Sequence, residues 1–366
     1  MKKNVLTMIF FFSGITIFAH ELLIPYSLNN KIGFVDENLH ILSEPQYEGE
    51  VSDNTKKMIL LDCPKFDVLV DDNGQLLTRG IDYIYIIGDN EYAVSQRDGD
   101  GYGRIFSLDR KVLHYYDRIM ITKADHYGNL IIQDKHKNAI SRLNIINSNG
   151  DFLYLNNSYK RIFGYYNEKK IAFVQDDDFN DCLVDANGKK INTVPFQFGM
   201  RSMNEGYVFG KNLQTGECGF YNMDCKCVIK AYTKDGSNMD DWNCYPGISC
   251  GVVALVNDGE KNVFLSEWQT LHSDYWSIVD TNGKFIEFGI TADKIYPFSD
   301  DVAVLMLQDG KKNIYRLINK NGKIITDRDF DQINSSVNGY CMAEKDGVDY
   351  LIKSKDGSVY RCSDFK

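Results

Sequence analysis

Six histidines, nine cysteines and 51 carboxylates are the groups in this 366-residue chain that could carry a proton, a nucleophile or a metal. The histidines, His20, His40, His114, His126, His136 and His272, are scattered, and only His126 and His136 share one period of the pattern below. A serine nucleophile of the strained-elbow kind needs Gly-x-Ser-x-Gly, which the chain lacks. Solvated loop positions account for all six. Oxygen ligands cluster at Asp98-Gly99-Asp100-Gly101 and at Asp176-Asp177-Asp178, and loops of this kind suit a hard cation. With Asp98 as the first residue of a calcium loop, Arg104 takes the seventh position and Asp109, not Glu, the twelfth, so polar turns between strands fit better. No catalytic residue, metal ligand or cofactor is assigned.

The elements that would have to position such groups are repeated. An Asp, Asn or Ser is followed three positions later by Gly at Asp71–Gly74, Asn147–Gly150, Asp185–Gly188, Asp280–Gly283, Asn319–Gly322 and Ser354–Gly357. Degenerate copies stand at Asp36–Leu39, Ser107–Arg110 and Asn222–Cys225. Successive copies lie about 37 residues apart, except between Cys225 and Gly283, where roughly 20 more are inserted. Glycine at the end of such a turn supplies positive φ, which lets two antiparallel strands meet with the right twist. Apolar residues flank each copy, as Leu317-Ile318 and Ile324-Ile325 do. A short apolar strand such as Val302-Ala303-Val304 follows in each period, and no helical stripe of useful length interrupts.

Three segments carry a family resemblance: Lys31-Ile32-Gly33-Phe34-Val35-Asp36 with Ser43-Glu44-Pro45-Gln46-Tyr47, Glu217-Cys218-Gly219-Phe220-Tyr221, and Tyr296-Pro297-Phe298-Ser299-Asp300-Asp301-Val302-Ala303-Val304. They resemble the units of the bacterial WG-repeat family, over nearly all of residues 31–360. The tryptophan of that motif is replaced throughout, by Ile32 and Cys218 in the clearest copies, so the chain is similar to a divergent member. The resemblance implies architecture and no shared reaction.

A 37-residue unit cannot bury its apolar face alone, so neighbours must stack. The expected fold is all-β, a propeller-like array of about nine units closing as seven or eight blades, with an open twisted β-solenoid array as the alternative. The first and last hairpins are of the same type, so closure by a shared blade is not written in the sequence.

The formal charge of −10 argues against nucleic acid, whose recognition needs a positive surface. Lys2 and Lys3 precede an apolar run from Val5 to Phe18, too short to span a bilayer and suited to an export signal cut after Ala19. The mature chain is then one domain, residues 20–366, without a membrane span, in the periplasm, outside the cell or on its surface. An odd number of cysteines leaves at least one unpaired, and a local disulfide among Cys218, Cys225, Cys227, Cys244 and Cys250 stands beside buried free thiols as an alternative. The insertion at about 230–276 contains Trp242, Tyr245, Trp268 and Trp276, either exposed contact residues or core fillers of a longer blade. A non-catalytic module binding protein or glycan is the expected function. A polysaccharide hydrolase and a passive cell-surface element are the alternatives.

Overall fold

The computed structural model describes residues 22–96, 101–124, 128–134, 142–147, 151, 159–166, 168–176, 178, 180–185, 187–191, 196–198, 205–233, 247–257, 261–265 and 270–366. Over these residues the protein is all-β, apart from a 3-10 turn at Cys362–Asp364. The strands form eight sheets, and the seven-stranded sheet joins two successive units where Asp181 pairs with Phe196, so the propeller has nine blades. In chain order these are blade 1 (Ile24–Tyr47), blade 2 (Glu50–Gly80), blade 3 (Tyr83–Asp117), blade 4 (Ile119–Ile146) and blade 5 (Arg161–Val184). Blade 6 (Phe196–Lys230), blade 7 (Tyr232–Ala292), blade 8 (Lys294–Asn319) and blade 9 (Gln332–Arg361) complete the ring. The expectation of seven or eight blades is corrected, because every one of the nine turn signatures builds a blade of its own.

Alternation along the central strands explains the stacking. In Met58–Asp62, Met58 and Leu60 pack toward blade 3 while Ile59 and Leu61 pack toward blade 1. Val302 and Val304 face blade 9, and Ala303 and Leu305 face blade 7. Both faces of these strands are buried, so they read as continuous apolar runs although their side chains alternate. Apolar clusters of this kind link each blade to the next around the whole series. The last link joins Val337, Tyr340, Met342 and Leu351 of blade 9 to Leu23, Ile24, Tyr26 and Phe34 of blade 1.

The ring therefore closes by packing, with no strand exchanged between blades 1 and 9, and an open array is not what forms. Polar contacts reinforce the seam: Ile41 N–H donates to the Lys366 carbonyl at 2.9 Å, Asn29 N–H donates to Asp349 Oδ2 at 3.0 Å, and the Tyr26 and Phe365 rings meet edge-on at 5.3 Å.

The turn signature has a hydrogen-bond explanation. In Asp71–Gly74 the head carboxylate accepts from the N–H groups of Asn73 and Gln75, both at 2.9 Å, while its carbonyl accepts from Gly74 N–H. The same pattern recurs with heads Asp36, Asp185, Asn222, Asp280 and Asn319, because an amide oxygen accepts as a carboxylate does. Gly74, Gly188, Gly283, Gly322 and Gly357 all have positive φ, and Gly150 lies outside the described residues. The stand-ins Leu39, Arg110 and Cys225 take the same left-handed conformation, with φ of 65°, 64° and 59°.

Blade 7 holds the inserted residues. Its sheet has five strands, because Asn262–Phe264 pairs with Val252–Asn257 and parallel to Tyr232–Thr233. Trp242, Tyr245 and Trp268 lie outside the described residues. Trp276 is only 1% exposed, and its indole Nε1 donates to the Ala292 carbonyl at 2.9 Å. Of the two readings of this residue, contact residue or core filler, Trp276 takes the second, lying in the core between blades 7 and 8.

Candidate recognition surfaces

The loops between first and second strands lie on the face of the ring that also carries the Asx turns, and they bond to one another from blade to blade. Glu205 of blade 6 accepts from the N–H groups of Cys250 and Gly251 in blade 7, at 2.7 and 2.8 Å. Ser249 Oγ donates to the Phe298 carbonyl of blade 8, and Ser299 Oγ donates to the Ser336 carbonyl of blade 9. Asp300 Oδ2 accepts from Ser336 Oγ and from Gly339 N–H, each at 2.8 Å. Asn338 Nδ2 carries the series across the seam, donating to the carbonyls of Leu23 in blade 1 and Thr55 in blade 2. Asp300 and Asn338 hold left-handed backbone, and their side chains bond to the next blade.

Beside this girdle a cleft of about 650 Å³ opens between blades 8, 9 and 1, lined by Leu22, Glu37, Asp300, Asp301, Lys320, Asn321, Asn338, Tyr340, Lys353 and Lys355, among others. Asp301 pairs with Lys320 at 2.9 Å, and that hydrogen bond raises the Lys320 ammonium above its ordinary value. Below the cleft, Ser336 Oγ and Ser354 Oγ share a 2.6 Å hydrogen bond, and burial pushes the adjoining Cys341 thiol up to about 12. Asp300, Asp301 and the two serine hydroxyls are thus committed to structure, and the thiol stays protonated at neutral pH.

A second surface lies on the outer strands of blade 7. Tyr275 is 66% exposed and Phe288 is 75% exposed, with Phe285 and Ile286 also open to solvent. Tyr275 immediately precedes the buried Trp276. Ser277 and Val279, in the same phase of the strand as Tyr275, are buried, so strand alternation does not by itself mark Tyr275 as exposed.

The remaining expected groups are dispersed. His40 Nδ1 and His272 Nδ1 each lie 3.1 Å from a neighbouring Asp, Asp36 and Asp293, while His114 stacks on Tyr116; His20, His126 and His136 lie outside the described residues. Asp176 heads a turn, accepting from the N–H groups of Asp178 and Asn180, and pairs with Lys190. Asp98, Asp100 and Asp177 are not described. Among the described residues no group of three His, Cys, Asp or Glu side chains could hold a metal ion, and no helix is long and apolar enough to cross a membrane. The eight described cysteines are all free thiols, and burial raises Cys225 and Cys227 to about 11. Of the five clustered cysteines, Cys218 is a buried thiol, Cys225, Cys227 and Cys250 are part-buried free thiols, and Cys244 lies outside the described residues.

Comparison with known proteins adds one family match. The family described as WG containing repeat matches residues 315–348, which run from the third strand of blade 8 into blade 9. No curated protein matches the sequence. Among solved structures the chain is similar to a eukaryotic initiation factor at 8% identity, covering 93% of this chain and 98% of that one with a TM-score of 0.49. It is also similar to apo AztD from Citrobacter koseri, at 9% identity, 83% and 93% coverage and a TM-score of 0.43. TolB from Acinetobacter baumannii follows at 11% identity, 71% and 58% coverage and a TM-score of 0.29.

Proposed function

We propose that the protein is an exported, non-catalytic recognition module that holds a protein or glycan partner against the rim of blade 7. The observation that carries this reading is the exposure of Tyr275 and Phe288 on neighbouring strands of the blade that departs most from the repeat. Exposed aromatic rings on a rigid scaffold lose little entropy on binding, and they stack on sugars or fill protein pockets. Asp300 and Asn338 of the large cleft are tied into the girdle, which suits holding the ring together better than chemistry. A polypeptide or polysaccharide without strong negative charge fits a chain whose net charge is −10.

The test is binding of purified protein to a glycan array and to solubilised cell-envelope proteins, with wild type beside the Tyr275→Ala, Phe288→Ala double variant. A several-fold drop in capture is expected, while the melting temperature stays within a few degrees because both side chains are exposed. Equal capture by the two proteins would contradict this reading.

A further inference from the structure

Blade 1 is incomplete at its first strand. In blades 2, 3 and 9 the Asx turn follows the third strand of four; in blade 1 the turn at Asp36 follows the second of three, so among the described residues the first strand is missing. The register shows where it belongs. In blades 2, 3 and 8 the second-strand residue opposite the head of the turn is Met58, Glu91 and Val302, and in blade 9 Tyr340 stands opposite Lys353, the residue before the head. The residues three and four positions after it pair with the first strand, whose partners lie seven and eight positions before it. In blade 1 the corresponding residue is Leu23, which places the slot beside Tyr26 and Ser27. The chain's own partners would be Thr16 and Ile15, inside the apolar run read as an export signal and outside the described residues.

A cavity of about 190 Å³ lies at this place, lined by Ser27 and Asn30 of blade 1, Glu50 of blade 2, and Glu344 and Asp349 of blade 9, among others. The lining contains three carboxylates and no Lys or Arg. In two other blades the same slot holds a basic residue followed by Ile, Arg161-Ile162 in blade 5 and Lys294-Ile295 in blade 8, while Glu50-Val51, Tyr83-Ile84 and Gln332-Ile333 hold it in blades 2, 3 and 9. The acceptors that secure a first strand are also in register. Met306 and Glu344 carbonyls accept from Asp293 and Asp331 N–H at 2.9 and 2.8 Å, and Ser27 holds the equivalent position in blade 1.

We propose that, once residues 1–19 are removed, this slot takes an extended basic segment of a partner polypeptide, which adds as an antiparallel strand along the edge of Ile24–Leu28. Main-chain hydrogen bonds supply the attachment, and Glu50, Glu344 and Asp349 select a segment carrying Lys or Arg. The removal step rests on the export reading above; the slot rests on register alone.

The experiment uses the chain from residue 20 onward, which keeps every described residue. It is titrated with a fluorescent hexapeptide of the protein's own residues 291–296, Thr-Ala-Asp-Lys-Ile-Tyr, and with a control peptide carrying Glu in place of the lysine. Saturable binding of the first peptide is expected, at least about tenfold weaker for the control and for a Glu50→Lys, Glu344→Lys variant whose near-ultraviolet spectrum matches wild type. No saturable binding, equal affinity for both peptides, or unchanged affinity in the variant would overturn the proposal. So would a dimer of the chain paired through this edge that the peptide does not disperse. Intact mass of protein recovered from cells reports separately on cleavage: an uncut chain defeats the export reading and with it the opening of the slot, while the titration decides the slot itself.

Discussion

Blades 9 and 1 meet at the seam of the ring, yet among the described residues one has four strands and a glycine-ended turn while the other has three strands and a turn ended by Leu39. Both turns reach the same left-handed backbone, with φ of +75° at Gly357 and +65° at Leu39. They differ in what lies against that residue. A Cβ on Gly357 would run into the carbonyl oxygen of Ile325 in the preceding blade. Leu39 packs its side chain into the apolar cluster at the seam. Positive φ is thus a demand of the turn, whereas the absence of a side chain is a demand of the neighbour, and the repeat combines the two only where blades press closely. Strands show a matching division: among the described residues the apolar clusters that join neighbouring blades are built mainly from second and third strands.

The comparison breaks most visibly at Gly357. Gly357→Ala must bear both left-handed strain and a backbone collision, so a loss of about 3 kcal/mol or more is expected in urea unfolding. Leu39→Ala keeps the strain it already has and loses only partly buried apolar surface, so about 1 kcal/mol is expected. Equal losses at the two sites would erase the distinction. Gly322 falls between them, because a Cβ there meets the side chain of Glu287, which can swing aside.

The seam itself is probed by Asn338→Ala, which removes the donor to the Leu23 and Thr55 carbonyls and puts alanine at a φ of 52°. About 2 kcal/mol is expected, with hydrogen exchange rising in Leu23 and Ile24 before the middle blades.

Asp36 gives a test with a pH signature. Burial pushes its carboxyl up, but the backbone N–H and ring of His40 and the backbone N–H of Asn38 outweigh that and hold it below the ordinary carboxylate value. A carboxyl lowered in the folded state adds stability that is present above its unfolded value and is lost as pH falls through the folded one. Thermal stability should therefore drop below about pH 4, and Asp36→Asn should remove this group's share of the drop at a cost below about 1 kcal/mol, since Asn heads serve at Asn222 and Asn319. The smallest effect is at Arg110, where Arg110→Gly relieves a φ of 64° but gives up the side-chain bond to the Leu76 carbonyl. A net change within about 0.5 kcal/mol of zero is expected, and a loss above 1 kcal/mol would mean that the side chain matters more than the turn.

Much of this was legible in the sequence because its causes are local. An Asx head accepting two N–H groups needs Asp, Asn or Ser at one position and tolerance of positive φ three residues later, so nine turns could be placed before any strand was seen. The degenerate endings at Leu39, Arg110 and Cys225 read as imperfect, and the backbone shows them conforming. What was not legible depends on neighbours far apart in sequence. Trp276 and Tyr275 are adjacent and equally aromatic, yet one is buried and the other exposed although Ser277 and Val279, on the same face as Tyr275, are covered, so what decides is where the neighbouring blade ends. The girdle links such as Glu205 to Gly251 join positions one period apart, and no residue pattern announces them. The blade number is not legible from the period for a related reason, since how many units a ring takes depends on how blades pack on one another, and the seam between blades 9 and 1 is closed by such packing and by hydrogen bonds between distant positions.

Closure is tested most directly by a photocrosslink from the C-terminal end of the chain. With p-benzoylphenylalanine in place of Phe365, whose ring lies 5.3 Å from that of Tyr26, irradiation of monomeric protein should join the peptide containing residue 365 to the one containing Tyr26. Crosslinks confined to blade 9, or formed only between molecules, would contradict a ring sealed by the packing of its first blade on its last.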